Sequence, residues 1–134
     1  MAIFSSLFRG GLLGLAAAGA TAVPAQAPSL TMLDGLEKGS WQLRERGKDG
    51  VLQTLCLGDG RRLIQVHHPR SNCSRYVIDD TPASVTVHYT CPGAGHGRTT
   101  IRNETNRLVQ IDTQGIAEGR PFSQAIEARR TGGC

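Results

Sequence analysis

Four cysteines, Cys56, Cys73, Cys91 and Cys134, constrain this chain more than any other feature, and all of them lie beyond residue 27. An even count in a small domain reads as a disulfide framework, because a modest core benefits from cross-links and an oxidising compartment lets them persist. No pair has the C-x-x-C spacing usual in zinc thiolate sites, so a metal held by thiolates is not expected. Four cysteines allow three connectivities. The stretch from Cys73 to Cys91 holds two strand-like runs, Ser74 to Asp79 and Ser84 to Cys91, about a Thr81-Pro82-Ala83 turn. As hairpin neighbours these runs favour a Cys73–Cys91 bond, which leaves Cys56 for Cys134.

Residues 1–27 read as a secretory signal. Arg9 and the amino terminus supply positive charge, Gly10 to Val23 is the apolar segment, and Ala25-Gln26-Ala27 fits the small-x-small cleavage pattern. The apolar run is short of the roughly 20 residues a spanning helix needs, so no stable membrane anchor is expected once the signal is removed. No cysteine follows the cleavage site to carry a lipid. Residues 28–134 are then a single domain, long enough for one modest core and too short for two. The implied location is an oxidising space outside the cytoplasm, the periplasm of a Gram-negative cell.

Within 28–134 the periodicity is that of strands. Pro28 to Leu36 reads as a lead-in. Gly39 to Arg46 alternates, with Trp41, Leu43 and Glu45 on one face, and Val51 to Leu57 returns after an Asp49-Gly50 turn. In Ser84 to Cys91, Val85, Val87, Tyr89 and Cys91 face one way and Ser84, Thr86, His88 and Thr90 the other. Arg98 to Glu104 and Arg107 to Thr113 suit a hairpin about Thr105-Asn106. Gly115 to Pro121 reads as a loose connection, Phe122, Gln124, Ile126 and Ala128 as one face of a last strand, and Thr131 to Gly133 as a flexible arm. Residues 58–72 suit either a short helix or a poor strand, with a helical turn ending before Pro69 preferred. The expected fold is mainly β, an antiparallel sheet of about six or seven strands forming a small barrel or sandwich, with at most one short helix.

Catalytic signatures are missing, and each candidate has a plainer reading. The run Cys91-Pro92-Gly93-Ala94-Gly95-His96-Gly97-Arg98 resembles a phosphate cradle in which Arg98 would pair with an anion. Its spacing fits neither a dinucleotide fingerprint nor a P-loop, and β-branched residues follow, so a flexible hairpin connection is the better reading. His67, His68, His88 and His96 lack metal-ligand spacing and read as surface residues. Asp79-Asp80 points to two faces of a strand rather than forming a carboxylate pair. Basic residues are scattered, without interleaved aromatics, which argues against nucleic acid. No cofactor and no enzymatic activity are expected.

Gly39-Ser40-Trp41, Cys56-Leu57 closing the second strand, Cys73 with Cys91, and Gly132-Gly133-Cys134 follow one another in an order that resembles the bacterial domain of unknown function 3617 family. The resemblance implies a small, exported, β-rich periplasmic domain with no catalytic residues to carry over. Many members have methionine-rich strands in their second half; Arg98 to Arg130 here contains no Met, so thioether metal handling does not transfer. The expected function is a non-enzymatic module binding a small apolar ligand or peptide in an interior lined by Trp41, Tyr89 and Phe122. The alternative is a rigid inhibitor or interaction partner of another envelope protein.

Overall fold

The computed structural model describes residues 18–23, 28–70 and 72–134. The expected signal and its cleavage site at Ala27 lie outside these residues except for 18–23. Seven strands make one sheet: β1 (Gly39–Glu45), β2 (Gln53–Leu57), β3 (Ser74–Asp80), β4 (Ser84–Cys91), β5 (Gly95–Thr105), β6 (Leu108–Ala117) and β7 (Arg120–Gly132). Their spatial order is β2-β1-β7-β6-β5-β4-β3, with every pairing antiparallel. The sheet does not close into a barrel, because β2 and β3 are its two edges and do not pair.

What closes the structure is a short 3₁₀ helix, Gly60–Gln65, lying against the inner face between those edges. Arg62 Nη1 donates to the Cys56 carbonyl on β2 (2.6 Å), and Arg75 Nη2 on β3 donates to Gln65 Oε1 (3.2 Å), so this one turn is tied to both edges. Its Leu63 and Ile64 are fully buried. Around them the inner face contributes Trp41, Leu43, Leu55, Leu57, Val85, Val87, Tyr89, Ile101, Val109, Ile111, Ile126 and Ala128. These are alternate strand positions, as period-2 alternation requires when one face is buried and the other meets water.

The lead-in is a core element, contrary to the sequence expectation. A single helical turn, α1 (Thr31–Asp34), inserts Met32 and Leu33 beside Leu30 and Leu36, all buried. Leu30 holds a positive φ of 55°, a conformation a non-glycine residue keeps only when its surroundings enforce it. The enforcing contacts are burial of its side chain and a 3.2 Å bond from its N–H to the Asp80 carboxylate at the end of β3.

Several strands run further than their alternation suggests. β5 begins at Gly95 rather than Arg98, so His96 and Gly97 are sheet residues and the supposed flexible loop shrinks to a turn at residues 92–94. The glycines serve packing. Gly95 has φ +118° and a Cβ there would fall 1.9 Å from the Ile116 carbonyl oxygen, while a Cβ on Gly97 would meet the ring and hydroxyl of Tyr89 at 2.5–2.7 Å. β6 continues to Ala117 and β7 starts at Arg120, leaving only Glu118 and Gly119 between them. Both have positive φ, 51° and 76°, as a tight primed turn demands, so residues 115–121 are hairpin and not loose connection. Thr131 and Gly132 likewise belong to β7, whereas Val51 and Leu52 precede β2 and are half exposed.

Both disulfides join the expected partners, Cys73 to Cys91 and Cys56 to Cys134. The first ties edge strand β3 to β4 one rung beyond Ser74–Thr90. The second reaches over β1, whose Ser40 stands between Cys56 on one side and Gly132 on the other. Two disulfides point to an oxidising environment. Among the described residues, no helix is long and apolar enough to cross a membrane.

Candidate functional site

The inner face of the sheet buries its large side chains and pairs their polar atoms. Trp41 is fully buried and its indole N–H donates to the Glu37 carbonyl (2.9 Å), while Tyr89 is fully buried with its hydroxyl bonded to His68. Below them, Thr99 Oγ1 donates to the Ile64 carbonyl (2.6 Å), which leaves it to accept from Thr113 Oγ1 at 2.8 Å. Among the described residues, no buried side-chain nitrogen or oxygen lacks a partner. Trp41 and Tyr89 belong to the buried core, while Phe122 is partly exposed, stacks on His67 at 4.0 Å and borders a hollow.

That hollow lies where β4 to β7 run side by side. Strand register sets out its polar rim: His88 is opposite Arg98, Arg98 opposite Gln114, and Gln114 opposite Ser123. One row along β5, His96 is opposite Ile116. The rings of His88 and His96 stack with centroids 5.9 Å apart, a diagonal cross-strand contact. Ile116 and Phe122 add apolar lining where Gly115 presents no side chain, and the open volume is about 420 Å³. A second, more polar hollow of about 280 Å³ continues past Arg98, Gln114 and Ser123 to Thr100 and Asp112.

Charge is distributed unevenly along this face. Asp112 is clamped between Arg46 (3.2 Å) and Arg102 (2.8 Å), Arg129 pairs with Glu127 (3.3 Å), and Arg107 pairs with Glu37. A bond from Gln110 and the Arg129 guanidinium hold the Glu127 carboxyl below its ordinary range. The Arg98 guanidinium has no ion pair or hydrogen-bond partner among the described residues, and no carboxylate lines the larger hollow. Every polar side chain on its rim can donate a hydrogen bond.

The histidines fall into two pairs. His88 and His96 are exposed on the outer face. His68 is buried, and His67 is half-buried between Phe122 and Gln124, whose Oε1 lies 2.8 Å from its Nε2. The reading of all four as surface residues therefore holds for one pair and fails for the other. Burial pushes His67 below the usual imidazole range; the Gln124 bond opposes this and His68 adds to it. Among the described residues, no three His, Cys, Asp or Glu side chains gather as a metal would require. Asp80 is bound to Leu30 while Asp79 lies opposite Thr86, so the adjacent carboxylates do separate.

The basic, acid-free rim escapes sequence reasoning because its members lie on four strands. Only the registers bring residues 88, 96, 98, 114 and 123 together. The one legible hint is Arg98 following a glycine-rich run; Gly95 and Gly97 are paired in the sheet and Gly93 is in the turn before it, and what remains of the anion cradle is the guanidinium. No protein-family model, curated protein or solved structure matches this chain.

Proposed function

We propose that this chain is an exported, periplasmic, non-enzymatic binding module that takes its ligand in the hollow over β4–β7 and not in the sheet interior. The observation that carries this reading is an open hollow of about 420 Å³ with an apolar lining and a donor rim, whereas Trp41 and Tyr89 are fully buried. Small-ligand sites combine those two ingredients. The two disulfides fit an oxidising compartment, and the order of motifs that resembles the domain of unknown function 3617 family would imply the same location.

The test is native mass spectrometry of protein recovered from its own cell envelope, on the parent and on Ser123→Trp, which fills the hollow from an exposed position. Extra mass that is present in the parent, disappears on denaturation and is missing from the variant supports the reading. Extra mass retained by the variant places the ligand elsewhere. A bare parent favours the second reading, a protein–protein module, for which Tyr76 (72% exposed) and Ile78 on edge strand β3 are the motivating feature.

A further inference from the structure

We infer that the ligand of this hollow carries an oxyanion head, a carboxylate, sulfonate or phosphate, joined to a compact apolar body. The inference rests on the binding reading above and adds the chemistry the hollow selects. Arg98 stands at the centre of the rim, directly opposite both His88 and Gln114 in register. An arginine fork without a partner is suited to bidentate capture of a planar or tetrahedral oxyanion, with shorter and stronger bonds than neutral donors give. His88, His96, Gln114 and Ser123 place further donors around it. Ile116 and Phe122 meet the part of the ligand that follows the head.

A divalent cation is the competing occupant, since stacked histidines on neighbouring strands are ligands of the right type. Arg98 argues against it. The arginine is paired with His88 in register and lines the same hollow, the rim has no carboxylate, and the acid in the adjoining hollow, Asp112, is already neutralised by Arg46 and Arg102. The charge at the site is positive before any ligand arrives. A cation would meet repulsion where an oxyanion meets an open fork.

Calorimetric titration with three probes tests this directly: benzenesulfonate, whose charge is constant across neutral pH, inorganic sulfate as the head alone, and benzyl alcohol as the body alone. The parent should bind benzenesulfonate more tightly than either fragment. Arg98→Gln should weaken benzenesulfonate by about tenfold or more, as expected for loss of charged hydrogen bonds, and leave benzyl alcohol unchanged. Arg98→Lys, which keeps charge and loses the fork, should fall between. Arg98 is exposed, and unchanged melting temperatures confirm that the variants fold. Equal benzenesulfonate affinity in the parent and Arg98→Gln overturns the oxyanion assignment. If benzyl alcohol binds as tightly as benzenesulfonate and Ser123→Trp abolishes it, the hollow binds ligands but the head-group inference fails. If Ser123→Trp leaves all binding intact, the location itself is wrong. Zinc titrated alone gives the last arm: zinc binding that tightens in Arg98→Gln makes this a cation site and overturns the inference.

Discussion

Tyr89 Oη and His68 Nδ1 are joined by a buried 2.9 Å hydrogen bond. The other ring nitrogen of His68 lies 3.0 Å from the Ala94 carbonyl, which can only accept. Nε2 therefore carries the proton, and in the neutral ring Nδ1 must accept from the tyrosine hydroxyl. These bonds link the turn after the 3₁₀ helix, β4 and the β4–β5 turn through one imidazole.

Removing the hydroxyl in Tyr89→Phe leaves Nδ1 buried without a donor and should cost about 1–3 kcal/mol, read from the urea midpoint. Burial also pushes the phenol up from 10.0 to about 12. The unfolded chain loses this proton first, so the stability the buried phenol contributes should disappear as pH rises from 10 towards 12. Tyr89→Phe should flatten that decline.

The same ring makes Gly97 sensitive. Gly97→Ala sets a methyl group 2.5 Å from Tyr89 Oη, and overpacking of this kind should cost about 1–3 kcal/mol. Gly132→Ala, with open space around it, is the control and should be near neutral. Equal melting temperatures for the two variants would contradict the packing role given to Gly97.

His67 predicts a different pH window. Its folded value lies below the ordinary 6.5, so under pH 6.5 the unfolded chain binds a proton that the folded chain refuses, and stability falls as pH drops. The window sits above that of Asp34, Asp59, Glu37 and Glu127, all held below ordinary values of 3.8–4.5. Urea midpoints at pH 7.5 and 5.0 should differ less in His67→Gln than in the parent.

The disulfides differ in the length of chain they close, 18 residues for Cys73–Cys91 and 78 for Cys56–Cys134. In the chain-entropy model they contribute about 3 and about 4.5 kcal/mol. Double serine variants of each pair should rank in that order by thermal melting, and reductant should add nothing to a variant lacking both.

Leu33→Ala tests whether the first turn belongs to the core. Leu33 is 1% exposed, and truncating a buried leucine typically costs about 2–5 kcal/mol. A melting temperature equal to the parent's would return residues 30–36 to the status of a lead-in.

The parts of the fold legible in the sequence are those where one face is buried and alternation is unbroken, as in Val85, Val87, Tyr89 and Cys91. The cysteine pairing is legible for a related reason, since Cys73 and Cys91 flank a hairpin. Leu30 to Leu36 is not legible because a single helical turn is too short to show a period. Gly95 and Gly97 mislead because glycine signals turns and close packing alike. His88, His96 and Arg98 are individually visible, but the hollow they rim depends on registers that a linear reading does not contain.

The position of β1 governs the order in which this molecule can assemble. β1 lies between β2, its neighbour in sequence, and β7, the last strand of the chain. The β1–β2 hairpin therefore waits for its second partner until the final 13-residue strand is available, and an isolated two-stranded hairpin has little stability of its own. The four strands from β3 to β6 follow hairpin by hairpin and can organise first, since short loops close at little entropic cost. The Cys56–Cys134 bond spans β1 from β2 to the end of β7, so it records that β1 has found both of its partners.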